Sequence, residues 1–262
     1  RNVQRGKAIP GEGRGLSVIG AGSYAHNVFL PLVSRKTMLA GIASGQGLSA
    51  RAAMDKFGFA FASGDVEEVM AHPDTRAVAI LTRHDSHAQL ASRALGLGRH
   101  VFVEKPLALN IEGLREVVSA YGRAPEGTVL LTGFNRRFAP ATHFLDERLP
   151  AGLPRAINIR INAGRLPPEH WVNDPLRGGG RIVGELCHFV DLALHFAGSD
   201  PLSCHAQALR DHEGTDNTLS VNLAFRNGSI ASIAYFSNGN TGVEKETIEV
   251  FCGGSVGRDG AP

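Results

Sequence analysis

The chain has 262 residues, 43% hydrophobic and 20% charged, with 27 basic against 25 acidic side chains. That length allows one large domain or two modest ones, and that composition supports a packed core rather than disorder. A net charge of +2 without blocks of like charge excludes a strong field toward nucleic acid or an anionic membrane. No apolar run approaches a membrane span and the opening residues carry no signal-peptide core, so neither is expected. The cysteines, Cys187, Cys204 and Cys252, stand far apart without a CxxC spacing. No disulfide framework or metal site is expected, and a reducing cytoplasm fits.

Residues 1–15 are basic, glycine-rich and aperiodic, and read as a linker or tail. From Leu16 short apolar runs alternate with helical stretches: LSVI (Leu16–Ile19), MLAGIAS (Met38–Ser44), AVAIL (Ala77–Leu81), HVFVE (His100–Glu104) and VLLTG (Val129–Gly133). Continuous apolar strands separated by helices predict an α/β Rossmann domain, a doubly wound parallel sheet, over residues 16–138. The first run enters GAGSYA, where Gly20 permits the tight turn, Gly22 the approach of a pyrophosphate, and Ala25 close helix–strand packing. Ser23 and Tyr24 complete the loop, and the helix behind it favours an anion at its N-terminus.

After the second run, where an acid would hold an adenosine ribose, stand Ser44 and Gly45. The 2′-phosphate of NADP is then not repelled, and Ser44 and Arg51 are candidates to contact it. The expected cofactor is NADP or NAD, with a slight preference for NADP. The alternative is a plain turn at Ser44–Gly45 and a solvated Arg51. Ligands of open α/β sheets bind outside the carboxyl ends of the strands. Two polar segments stand there, TRHDSH (Thr82–His87) and EKP (Glu104–Pro106).

Beyond Phe138 the period becomes two. Ile157, Ile159 and Ile161 alternate with Asn158, Arg160 and Asn162, and Leu219, Val221, Leu223 and Phe225 repeat the pattern. SIASIAYF and KETIEVF are further strands, and Asn227-Gly228 marks a hairpin. One-sided alternation predicts an α+β domain with a mainly antiparallel sheet over residues 139–262. The helix between these strands, Ile182–Phe196, carries Glu185, His188, Asp191 and His195 at steps that stack them on one narrow face. That face is either a wet surface or a row of functional groups. In the loop ahead of it, Trp171 can stack on a sugar or anchor the loop. Asn135 and Arg136, after the last parallel strand, can contact substrate or cap and pair at the domain junction.

Four motifs in order carry a resemblance: VIGAGSYA (Val18–Ala25), LTRHDSHAQLASRALGLGRHVFVEKPLAL (Leu81–Leu109), GFNRRF (Gly133–Phe138) and GGGRIVGELCHFVDLALHF (Gly178–Phe196). From Leu16 onward the chain resembles the glucose–fructose oxidoreductase/inositol dehydrogenase/rhizopine-catabolism (Gfo/Idh/MocA) family. The resemblance implies Lys105 beside the nicotinamide and the reacting carbon, and a cis Lys105–Pro106 peptide. It implies Thr82, Arg83, His84, His87 and Glu104 along the cofactor, and a catalytic histidine at His188. Glu185 or Asp191 would orient that histidine, and Asn135, Arg136, Trp171 and Asp191 would meet substrate. The chain departs from the family twice: its Thr-Pro-Asn reads Thr82-Arg83-His84, and the Asp four residues before the histidine is Gly184. The wording VEKPLAL, INAG and HWVNDP resembles a branch in which the module follows a zinc alcohol-dehydrogenase-like domain. Residues 1–15 would then be an interdomain linker, and the C-terminal domain would be incomplete.

The expected reaction is hydride transfer between a nicotinamide and a secondary alcohol or ketone of a sugar, cyclitol or sugar nucleotide. His188 takes the hydroxyl proton and Lys105 stabilises the developing alkoxide. The alternative, motivated by Gly184, is a non-catalytic dinucleotide-binding or regulatory module. An S-adenosylmethionine methyltransferase shares the glycine turn but leaves EKP and the His188 helix unexplained. The expected partners are a small polyhydroxylated substrate and further copies of the chain, joined through the second-domain sheet as a dimer or tetramer.

Overall fold

In the computed structural model, which describes residues 3–4, 14–45, 47–209 and 217–259, the apolar runs of the N-terminal half lie in a sheet of parallel strands. These are β1 (Gly15–Ile19), β2 (Leu39–Ala43), β3 (Phe61–Ser63), β4 (Thr75–Ile80), β5 (His100–Val103) and β6 (Leu130–Thr132). Their order is β3-β2-β1-β4-β5-β6, which reverses direction beside β1 and so creates the switch point at which such sheets bind ligands. A short strand, Val3–Gln4, pairs antiparallel with β3. That pairing, and Gly15 as the first residue of β1, correct the reading of residues 1–15 as wholly linker or tail. The other residues of that stretch, Arg14 excepted, lie outside the described residues.

Strand residues alternate between two apolar clusters, one on each face of the sheet. Ile19, Val78, Ile80, Val101 and Val103 pack with Ala91 and Leu95 of α4 (His87–Gly96) and Val117 of α5 (Ile111–Arg123). Val18, Ile42 and Ala79 face the opposite way, onto Leu30 of α1 (Leu30–Val33) and Ala50 and Met54 of α2 (Gly47–Phe57). Burial on both faces is why these strands read as continuous apolar runs, each large side chain contributing about 1.5–3 kcal/mol. Side-chain caps start α3 (Val66–Ala71), where Asp65 accepts from the Glu67 N–H, and α5, where Asn110 accepts from the Gly113 N–H.

A second unit begins at Phe134, just ahead of the border read from the sequence. Its sheet contains β7 (Ala156–Asn162), β8 (Pro201–Ala208), β9 (Leu219–Phe225), β10 (Ile230–Phe236), β11 (Glu246–Cys252) and β12 (Ser255–Asp259). The order is β12-β11-β7-β10-β9-β8, antiparallel throughout except for the parallel pair β7–β10. Gly228, at φ 86°, turns the expected β9–β10 hairpin. Ile157, Ile159, Ile161, Val221, Ile233, Tyr235 and Val250 pack against Phe189, Leu192 and Phe196 of α7 (Cys187–Ala197) and Leu145 of α6 (Pro140–Arg148). The expected helix Ile182–Phe196 is not one straight α-helix: Ile182–Leu186 is a π-helical turn, and α7 starts only at Cys187. Among the described residues, no helix is long and apolar enough to cross a membrane.

Candidate active site

Four segments leave the first sheet side by side at its carboxyl edge. Past each strand, one more backbone bond keeps the register: Gly20 N–H to Ala43 O at 2.8 Å, Leu81 to Ile19 at 2.8 Å, Glu104 to Ile80 at 3.0 Å and Gly133 to Val103 at 2.8 Å. The glycine loop, Thr82–His87 and Glu104–Pro106 are thereby placed along one edge. Gly20 sits at φ 105°, and a Cβ there would stand 2.7 Å from the Leu81 carbonyl oxygen, so only glycine fits. Gly22 is exposed and a Cβ there would meet nothing within 4 Å, whereas Ala25 is buried against the core. No acid stands in the turn that follows. An open glycine concavity at an acid-free helix start fits the phosphates of a dinucleotide. Ser23 accepts from Asn27 Nδ2 at 3.0 Å.

Tyr24 reaches Glu104. Burial together with this carboxylate pushes the phenol up to about 12, so Tyr24 stays protonated and donates to Glu104. Glu104 Oε2 also lies 3.3 Å from the Lys105 backbone N–H, and the carboxylate lies so close to Gly133 that a Cβ there would be 2.8 Å from Oε1. Half-buried Lys105 precedes a cis peptide to Pro106, as the resemblance implies. Thr82 Oγ1 is 2.6 Å from Ser86 Oγ, and exposed Arg83 has φ −77°, a value proline also takes, so the Pro-to-Arg departure leaves the backbone path open to both.

His87 is 0% exposed, with Nδ1 2.8 Å from the Pro106 carbonyl oxygen and Nε2 3.2 Å from that of Thr82. It ties the two segments together and is too enclosed to touch a cofactor, which corrects its reading as a cofactor contact. Buried His84 lies beside it, ring centroids 5.7 Å apart. At the end of β2, Ser44 Oγ is 2.7 Å from Ser49 Oγ, and Arg51 donates to Asp55 one turn on at 3.2 Å.

In the second unit the π turn sets Glu185 apart from the expected row, while His188, Asp191 and His195 keep their helical steps along α7. A π turn closes over five residues rather than four, and the side chains take separate partners. Glu185 Oε2 accepts from Arg181 Nε at 3.2 Å, from Arg181 Nη2 at 3.0 Å and from the Tyr235 hydroxyl, while Lys245 Nζ stands 3.8 Å from Oε1. Burial pushes the Glu185 carboxyl up, but Tyr235, Arg181 and Lys245 outweigh it and hold the group below the usual carboxylate range. Tyr235 is pushed up, by burial first and then by Glu185. His195 Nε2 is 2.7 Å from Asp146 Oδ2. His188 is half-buried, with its ring at the edge of Phe134, centroids 6.1 Å apart.

Two substrate candidates are committed elsewhere. Asp191 is 7% exposed and holds both arms of Arg137. Arg136 forks onto Glu246 and stacks over Phe189 at 4.5 Å. Both side chains fasten the turn Asn135–Phe138 to its own unit; for nearly enclosed Asp191 this corrects its reading as a substrate contact, while the Arg136 side chain stays 27% exposed. Asn135 is exposed and Trp171 half-buried. The polar neighbours of Trp171 build its loop: His170 Nδ1 accepts from Val172 N–H at 3.3 Å, Asn173 donates to Pro167 O at 2.9 Å, and Asp174 Oδ1 accepts from Leu176 N–H at 2.9 Å. The sequence reading missed Arg181, Arg137, Glu246 and Tyr235. The Arg181–Glu185 spacing signals an ion pair, and nothing local signals Tyr235. Among the described residues no cluster of His, Cys, Asp and Glu could hold a metal ion.

Residues 15–128 match an oxidoreductase family described as having an NAD-binding Rossmann fold, and residues 150–254 match the GFO/IDH/MocA C-terminal domain. The 1,5-anhydro-D-fructose reductase of Ensifer adhaerens is 33% identical over 63% of this chain and 52% of its own length. The myo-inositol 2-dehydrogenase of Thermotoga maritima is 29% identical over 78% of this chain and 61% of its own. The chain thus spans between half and two thirds of these relatives. The myo-inositol dehydrogenase of Lactobacillus casei, solved with NAD(H) and myo-inositol, shares the fold at a TM-score of 0.78 with 22% identity, over 95% of this chain and 74% of its own.

Proposed function

The chain belongs to the GFO/IDH/MocA oxidoreductase family, and from that premise we propose that it carries the dinucleotide and substrate units of a dehydrogenase acting on a secondary alcohol of a sugar, cyclitol or sugar nucleotide. The observation that supports this best is the shared carboxyl edge, where the glycine loop, Thr82–His87 and the Lys105 segment leave the sheet in register. The bound nicotinamide supplies the hydride acceptor or donor. Gly20, Gly22, Ser23, Tyr24 and Ala25 receive the pyrophosphate, Thr82, Arg83, His84 and Glu104 line the cofactor, and Ser44 lies at the ribose. Lys105 holds the substrate oxygen and offsets charge as the alkoxide develops, His188 takes the hydroxyl proton, and Asn135 and Trp171 orient the polyol. Glu185, fixed and anionic, supports His188 in place of the family Asp. Turnover of a cyclitol and sugar panel with NAD and with NADP tests the reading.

The finer points follow the same residues. With no acid at the end of β2, NADP is accepted at least as well as NAD. The first unit serves the cofactor, and the second serves substrate and self-association through the outer face of its sheet, where Ile230 and Phe251 are exposed. We place the reaction in the cytoplasm on the strength of scattered cysteines. A preceding zinc alcohol-dehydrogenase-like domain draws no support from the relatives found. Gly184 favours a second reading, a dinucleotide-binding module without turnover, which would bind NAD(P) in fluorescence titration yet leave every polyol unchanged.

A further inference from the structure

We propose that Tyr235 and Arg181 are positioning residues for the reaction: with Glu185 as their shared partner they lock the π-helical turn that leads into His188. The inference rests on the reading of His188 as the proton acceptor. π turns are rare and occur mostly as single turns within helices, frequently at functional sites. Arg181, immediately before the turn, is 3% exposed and donates through Nη1 to Gly164 O and through Nη2 to Ala163 O at 3.2 Å. The start of the turn is thereby fastened to the chain leaving β7. Its Nε and Nη2 also reach Glu185 inside the turn, at 3.2 and 3.0 Å. From β10, the Tyr235 hydroxyl closes on the same Glu185 oxygen. The exit of β7, β10 and the turn therefore meet at one carboxylate, three residues before His188.

The chemistry of Tyr235 separates this role from packing. Its ring is part of the apolar core and 0% exposed, a place phenylalanine would fill equally well. The hydroxyl donates to Glu185, beside the Arg181 guanidinium, and that polar junction is what phenylalanine could not supply. A buried, charge-assisted bond of that kind resists rotation of the turn. Where a proton must be taken from a positioned hydroxyl, an error of about 1 Å can cost on the order of 10²-fold in rate.

Tyr235→Phe deletes the hydroxyl and keeps the ring, and two readouts follow. Hydrogen–deuterium exchange at amides 182–188 needs no substrate. Exchange there should quicken about tenfold, as expected for one lost charge-assisted bond, while β10 and the rest of α7 hold their wild-type rates. On any substrate that the wild type turns over, kcat should fall about tenfold or more, with substrate KM and cofactor Kd within about twofold. Glu185→Asp, which keeps the charge but shortens its reach, should give the same two changes. Unaltered exchange overturns the anchoring, and faster exchange with unaltered kcat overturns the positioning. If His188→Ala retains turnover, the catalytic reading fails instead, and the exchange result still decides the anchor.

Discussion

Arg137 and Asp191 form a two-point ion pair, Nε to Oδ2 at 3.0 Å with Nη2 closing on Oδ1, between the Asn135–Phe138 turn and α7. A buried carboxylate that holds both arms of a guanidinium is satisfied and has little left for a substrate hydroxyl. Asp191→Asn should therefore destabilise the fold by about 2 kcal/mol, discounted because the Arg137 side chain is 35% exposed, and leave substrate KM near the wild-type value. Urea midpoints and steady-state kinetics check this. Unchanged stability with a tenfold rise in KM would return Asp191 to the substrate.

Gly20 is where the glycine loop has least freedom. Alanine there must hold φ 105° and bring its Cβ to 2.7 Å from the Leu81 carbonyl oxygen. That backbone conformation alone costs about 1–3 kcal/mol in a non-glycine residue. Dinucleotide affinity measured by fluorescence titration should drop about tenfold or more in Gly20→Ala. Gly22→Ala, with open space around it, should fold normally and lose affinity only through crowding of the ligand.

The Glu185 carboxyl titrates below its ordinary range, so the folded chain gives up this proton more readily than the unfolded one. Its contribution to stability is complete above the unfolded value, near 4.3, and is lost as pH falls through the lowered folded value. Glu185→Gln should be less stable than wild type around neutral pH, and the gap should narrow once the pH drops below about 4. A gap that stays constant under acid would remove the charge from the argument.

The end of β2 bears on cofactor choice. Neither Ser44 nor Gly45 repels a 2′-phosphate, and Arg51 needs only to exchange Asp55 for it. NADP should bind at least as tightly as NAD, and Arg51→Ala should weaken NADP selectively. A preference for NAD beyond about tenfold would point to a ribose hydroxyl contact supplied elsewhere.

The first sheet is legible in the sequence because burial on both faces writes continuous apolar runs between helices. β3 escapes notice because three residues are too few to show a pattern. In the second unit, β8 is exposed at every position and so never alternates, and SVGRD in β12 holds a single large apolar side chain. Gly20 and Gly22 stand out through local turn chemistry, whereas Lys105 stands out only through the family resemblance of its EKP segment. Asp191 and Arg136 looked available because their partners, Arg137 on the preceding turn and Glu246 on β11, are set by tertiary packing alone. Glu185 was readable as a candidate partner for His188, but its anchoring to Tyr235 depends on a residue 50 positions away. A single π turn shifts the hydrophobic register by one residue inside a stretch that otherwise keeps the helical period, too small a change for periodicity to reveal.

The most direct measurement is the rate of nicotinamide reduction with a cyclitol or sugar that the wild type oxidises, compared across Lys105→Met and His188→Ala, with cofactor Kd determined for each. The account predicts a fall in kcat of roughly 10²–10⁴-fold in both variants while the dinucleotide still binds. Near-normal turnover in either variant, on the substrate verified for the wild type, would contradict it.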